Sequence, residues 1–142
     1  MTAVTASGPD LRSGLAGARG PLVAGAAAAA AAALVALRDP HETGSYGLCP
    51  LHTLTGLWCP ACGGLRATYD LAHLHLATAW SENALWVAVL PFVVLGWLAA
   101  VVRRARGLPT RPPRAWATAV GLALVLAFGV LRNVPAFGWL AP

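Results

Sequence analysis

Lysine is absent from this chain of 142 residues, and charged side chains of any kind make up only 11% of it. A soluble domain carries about 25% charged residues, so a chain that is 58% hydrophobic is not an ordinary soluble protein. The net charge of +5 does not indicate nucleic-acid binding, because the arginines form no basic face interleaved with aromatic side chains. We therefore expect a membrane protein that has the lipid bilayer, and no nucleic acid, as a partner.

Common catalytic motifs are missing too. The chain has no glycine-rich phosphate loop, no G-x-S-x-G and no H-E-x-x-H. No pair of carboxylates lies within an apolar segment, as a proton or ion pathway would require. The sequence thus favours a non-enzymatic membrane component over an enzyme or a transporter.

Three uncharged segments predict membrane spans: 21–37, 84–102 and 115–131. The first is rich in alanine and, at 17 residues, has about the minimum length of a transmembrane helix. It follows residues 1–20, which we expect to form a disordered tail. A cleaved signal peptide is the alternative for this first segment, although the segment is longer than the usual apolar region of one. The predicted fold class is all-α, a multi-pass protein with about three transmembrane helices in one membrane domain, 21–142.

The arginines predict the orientation in the membrane. Segment 103–114 carries five arginines and no acidic residue, so the positive-inside rule places it in the cytoplasm, together with the N-terminus. The connection 38–83 then lies outside the cytoplasm or at the membrane interface. The C-terminal tail, with Phe137 and Trp139, is typical of an interfacial anchor. This arrangement predicts an inner-membrane protein with an unidentified membrane or extracytoplasmic protein partner.

A helical pattern begins after Gly64, and we expect this helix to lie along the membrane surface. Its apolar stripe consists of Leu65, Tyr69, Ala72, Leu76 and Trp80. On the neighbouring polar stripe, Arg66 and Asp70 can pair at i, i+4, and His73 is a second expected partner of Asp70. Arg66 meets an anionic group, such as a lipid phosphate, or extends to the headgroups. A break in the helix is predicted around 73–75.

The three cysteines all lie in the connection, with the spacing C-x9-C-x2-C. With His52 the pattern becomes C-x2-H-x6-C-x2-C, and paired x2 spacings suit a tetrahedral Zn²⁺ ion. Pro60 fixes the turn between the last two cysteines, and Gly63 can adopt a left-handed conformation after it. The six-residue gap between the pairs is shorter than in zinc fingers and ribbons. A Zn²⁺ site formed by Cys49, Cys59, Cys62 and His52 is therefore one hypothesis among three.

The second hypothesis is thiol chemistry, because Cys59 and Cys62 form a C-x-x-C motif that can make and break a small disulfide ring. A membrane thiol-disulfide oxidoreductase is thus the alternative function, although the chain has no room for a thioredoxin-like domain. The third hypothesis is that the cysteines are structural, as small apolar side chains with or without one disulfide.

An ordered series of residues resembles the signature of a known family. The series comprises Cys49-Pro50, Thr55-Gly56, Cys59-Pro60-x-Cys62-Gly63, Arg66-Ala67, Ala79 and Asn83. It is similar to that of small bacterial membrane proteins named domain of unknown function 2752. The resemblance implies a compact helical membrane protein with functional residues among Cys49, Cys59, Cys62 and Arg66. His52 is not part of this signature, and Leu74-His75 and Ala84 depart from it.

Overall fold

The computed structural model describes residues 11–42, 49–110 and 112–141, with the side chains of 11–16 excepted. This described part contains helices and no strands, which confirms the predicted all-helical class there. The elements are α1 (Leu11–Leu37), α2 (Pro50–Thr55), α3 (Gly64–Ala72), α4 (Leu76–Glu82), α5 (Ala84–Ala105), α6 (Ala115–Leu131) and a 3₁₀ helix over Pro135–Leu140.

Helix α1 begins earlier than the sequence predicts. Residues 11–20, expected to belong to a disordered tail, are helical, whereas residues 1–10 of that tail lie outside the described residues. Leucine, alanine and arginine in this segment favour a helix. Its start also has a neighbour, because a Cβ added at Gly17 would lie 3.5 Å from the carbonyl oxygen of Arg104 near the end of α5.

Two helices are long and apolar enough to cross a membrane: the Gly17–Leu37 part of α1 and the whole of α5. Almost none of either helix is buried, so neither resembles the core helix of a soluble protein. Helix α5 continues three residues beyond its predicted end at 102. Helix α6 has the predicted bounds, but its 17 residues span about 26 Å, short of the ~30 Å layer. The third span therefore stays a prediction.

Helices α1 and α5 pack along each other through one large side chain. The indole Nε1 of Trp97 donates a hydrogen bond to the carbonyl oxygen of Pro21, at 2.7 Å. Gly25 lies directly against the same ring, because a Cβ at this position would overlap it. The absence of a side chain at Gly25 thus permits the close approach of the two helices, as small residues do between membrane helices.

The predicted break after α3 is present. Residues 73–75 separate α3 from α4, and Leu74 has a positive φ of 63°. The predicted Arg66–Asp70 pair is wrong: Arg66 lies 3.7 Å from Glu82, because the Asp70 side chain is buried whereas Arg66 reaches outward to the end of α4. The expected contact of His73 with Asp70 is also replaced, since its ring nitrogen bonds the Tyr69 carbonyl oxygen at 2.9 Å.

Burial in the described residues is the reverse of that in a soluble protein. The buried apolar residues are small, namely Ala18, Val35, Ala67 and Ala79, and the buried polar ones are Asp70, Asn83 and Arg132. Large apolar side chains instead lie exposed, among them Leu65, Leu76 and Trp80 of the predicted stripe. Small and polar contacts inside with apolar side chains outside are typical of helix packing in lipid.

Candidate metal centre

The short helix α2 and the turn that follows it bring the cysteines together. Cys49 is the N-cap residue of α2, and Cys59 and Cys62 lie in the turn between α2 and α3. Gly56 ends α2 with a φ of 72°, and Gly63 precedes α3 with a φ of 78°. Both conformations are left-handed, where a side chain would be strained, so these glycines let the chain reverse twice within a few residues.

The three thiols form one cluster. The Sγ of Cys49 lies 3.6 Å from that of Cys59, and the Sγ atoms of Cys59 and Cys62 are 3.0 Å apart. All three sulfur atoms lie within 4.8 Å of one another, and each cysteine is partly buried. Such a group can hold a metal ion. Among the residues that the structure describes, no other set of three His, Cys, Asp or Glu side chains converges in this way.

The thiols are chemically inequivalent. The backbone N–H of His52 and the neighbouring thiols of Cys62 and Cys59 stabilise the Cys49 thiolate, which lowers the pKa of Cys49. Burial, together with hydrogen bonds involving Cys59 and Cys49, raises the pKa of Cys62 to about 12. Cys49 is therefore the first of these two thiols to ionise, and Cys62 remains protonated at neutral pH.

Arg132, at the end of α6, bonds the backbone of the cysteine turn. Its Nη1 donates to the carbonyl oxygens of Cys59 (3.0 Å) and Cys62 (2.9 Å). Its Nε and Nη2 donate to the carbonyl oxygens of Leu140 (2.9 Å) and Glu82 (3.3 Å). Arg132 as a whole is only 2% exposed.

Two asparagines complete the support of the turn. The Nδ2 of Asn83 donates to the carbonyl oxygens of Pro60 and Cys62, both at 3.0 Å, while its Oδ1 caps α5 by accepting from the Trp86 N–H. Asn133 exchanges two hydrogen bonds with the backbone of Trp58, at 2.8 and 2.9 Å. Side chains at two helix ends thus fix the backbone on both sides of Cys59.

We call Arg132, Asn83 and Asn133 the polar clamp. Close packing accompanies it, since a Cβ at Gly129 of α6 would lie 3.3 Å from the ring of Pro60. The clamp holds the backbone and leaves the three sulfur atoms facing one another. A rigid turn with convergent thiols is a preorganised site for a metal ion.

The other predicted site residues lie around the cluster and do not join it. The ring of His52 stacks on Trp58 at a centroid distance of 3.8 Å, and His52 lies outside the group of converging ligands. The Thr55 hydroxyl donates to the carbonyl oxygen of Leu51 at 2.6 Å and so closes the last turn of α2. Arg66 is turned toward Glu82.

A separate group of ionisable side chains lies beside the clamp, at the end of α1. His41 has its Nε2 3.6 Å from Asp70 Oδ2 and 3.7 Å from Glu82 Oε1. Its Nδ1 meets Asp39 at 2.8 Å. Since the Glu82 carbonyl also accepts from Arg132, residues 82 and 83 connect this group to the thiol turn.

Sequence reasoning missed Arg132 and Asn133. They follow an uncharged helix directly and therefore look like ordinary residues that end a span. The one available signal was general: an arginine at the end of an apolar segment must find partners for its donors. No spacing rule connects residue 132 with residues 59 and 62, because the contact depends on how α6 returns to the loop.

Comparison with known families supports the resemblance drawn from the cysteine signature. Residues 49–97 match the model of a family described as Protein of unknown function (DUF2752). The matched segment includes all three cysteines and Asn83, whereas Arg132 and Asn133 lie outside it. No curated protein and no solved structure matched the chain.

Proposed function

We propose that this protein is a small integral membrane component that binds a metal ion through the thiols of Cys49, Cys59 and Cys62. The observation that carries the proposal is the convergence of the three sulfur atoms within 4.8 Å. Thiolates are preferred ligands of Zn²⁺ and of other soft ions. The role is non-enzymatic, with the loaded loop presented to a membrane or extracytoplasmic partner.

The exposed apolar helices support the membrane location. A soluble protein would bury such surfaces, whereas lipid covers them without a partner protein. The ends of the helices also support the proposed orientation in an inner membrane. Asn83 connects the start of α5 to the thiol turn, and Arg132 connects the end of α6 to the same turn. Gly17 and Arg104 meet at the opposite end of α5, beside the arginine-rich segment.

This distribution of contacts places the thiol turn and segment 103–114 at opposite ends of a helix about 33 Å long. With the arginines in the cytoplasm, the thiols then face the outside, as the positive-inside rule predicts. The same geometry requires α6 to return toward the thiol side. We therefore propose three spans, the third of them short and completed by the 3₁₀ helix over Pro135–Leu140.

A thiol-disulfide oxidoreductase is the second candidate, and the 3.0 Å separation of the Cys59 and Cys62 sulfurs favours it. In such a reaction the two thiols lose two protons and two electrons as their disulfide forms, and a partner disulfide is reduced to two thiols. The high pKa of Cys62 opposes rapid attack by this residue on a disulfide, because the thiol form is a poor nucleophile.

The test is to count thiols on protein purified in detergent without reductant, before and after addition of a zinc chelator. Metal content is measured on the same sample. We expect close to one metal ion per chain and thiols that react only after chelation, with His52→Ala as a control that retains the metal. No metal and a single reactive thiol would contradict the proposal and favour a disulfide. No metal and three reactive thiols would favour structural cysteines.

A further inference from the structure

Within the part of the chain that the structure describes, the thiol cluster offers three protein ligands and no fourth. His52 is the nearest candidate in sequence, yet its ring is stacked on Trp58 and lies outside the converging group. His41 and His75 instead face the Asp70 carboxylate. Segments 1–10 and 43–48, which the structure does not describe, contain neither cysteine nor histidine.

Three ligands do not complete a structural zinc site. Structural zinc is almost always held by four protein ligands, and zinc with three keeps an open position for water or substrate. Soft thiolate ligands also select Cu(I), and this soft ion needs no hard fourth ligand. Both the number of ligands and their thiolate chemistry therefore fit Cu(I) better than Zn²⁺.

We propose that the cluster of Cys49, Cys59 and Cys62 is a three-coordinate Cu(I) site. This inference rests on the proposed function, since it names the ion that the thiols bind. The ion enters as Cu(I) and displaces thiol protons to water, so no change of oxidation state takes place.

The positions of the sulfur atoms permit this coordination with a small movement. Three sulfurs at about 2.3 Å from a central ion in a trigonal plane lie about 4.0 Å apart. Cys49 and Cys59, at 3.6 Å, need to open by a few tenths of an ångström, and Cys59 and Cys62, at 3.0 Å, by about 1 Å. Rotation of the Cys62 side chain can supply this movement, because the polar clamp bonds only backbone atoms of the turn and none of its sulfur atoms.

The test is an anaerobic titration of the reduced, full-length protein in detergent with Cu(I), in competition with a chromogenic Cu(I) chelator. X-ray absorption of the loaded protein counts the sulfur neighbours. We expect one Cu(I) per chain with three sulfurs. Cys49→Ser should leave two sulfur neighbours and lower the affinity for Cu(I) by about tenfold or more. Loss of only a hydrogen-bond partner of a metal ligand already lowers metal affinity by about this factor. His52→Ala should change neither result.

Two sulfur neighbours in the unaltered protein, or a nitrogen neighbour that His52→Ala removes, would overturn the inference. This measurement does not depend on whether Cys49→Ser folds. A parallel titration with Zn²⁺, read as protection of the thiols from alkylation, separates the two proposals. Protection by Zn²⁺ without three-sulfur Cu(I) coordination refutes the Cu(I) site alone. No protection by Zn²⁺, together with no binding of Cu(I) in the competition titration, refutes metal binding itself.

Discussion

Replacing Arg132 by methionine would test whether the polar clamp holds α6 to the thiol turn. The substitution keeps a side chain of similar length and removes all donors. Arg132 makes four hydrogen bonds, to the carbonyl oxygens of Cys59, Cys62, Glu82 and Leu140. It also lies 5.1 Å from the centroid of the Phe128 ring, which adds a cation–π contact.

The expected loss of stability follows from these contacts. Hydrogen bonds from a charged donor contribute about 1.5–3 kcal/mol each. Two of the four carbonyl acceptors keep another donor. The Cys62 carbonyl also accepts from Asn83, and the Cys59 carbonyl also accepts from the Cys62 N–H. The methionine also avoids burying a charge. The Leu140 and Glu82 carbonyls lose this donor, and each buried acceptor left unsatisfied costs about 1–3 kcal/mol, so we expect a loss of about 2–6 kcal/mol in the free energy of unfolding.

Thermal unfolding in detergent, followed by tryptophan fluorescence, would measure this change. Arg114→Met is the matched control, since Arg114 lies exposed at the other end of α6 and its loss should cost less than about 0.5 kcal/mol. The stability of Arg132→Lys should lie between those of the two methionine variants. Lysine keeps the charge, but it lacks the planar guanidinium that donates to several carbonyls at once. Equal stability of the two methionine variants would refute the clamp.

Two further predictions concern the thiols and the helix pair. In the reduced, metal-free protein, Cys49 should be alkylated before Cys62 at pH 7, because its pKa is lowered whereas that of Cys62 is raised to about 12. Mass spectrometry of partly alkylated protein gives the order in which the two cysteines react. The alkylation rate of Cys62 should still increase above pH 10. Alkylation of Cys62 before Cys49 would contradict the inequivalence of the two thiols. Gly25→Ala should lower stability by about 1–3 kcal/mol, because the added Cβ displaces Trp97 from α1. Gly20→Ala is the control, since nothing lies within 4 Å of a Cβ there. Equal thermal stability of the two variants would exclude close packing at Gly25.

Much of the local structure was predictable because it depends on neighbouring residues. The bounds of α6 and the start of α5 at residue 84 follow from uncharged segments that end at charges or at a capping asparagine. The break at 73–75 was predictable from the change in pattern there. The early start of α1 was not, since glycine and serine at residues 13–20 reduce the local helical signal.

For the candidate site, the sequence by itself determined which thiols and which turn residues are present, because Cys59, Pro60, Cys62 and Gly63 act within a few bonds of one another. Only the tertiary structure decided that Cys49 reaches the other two thiols, that His52 stacks on Trp58, and that Arg132 bonds the turn. The reason is physical: hydrogen bonds between residues 73 positions apart depend on the path of α6, and no local propensity encodes that path.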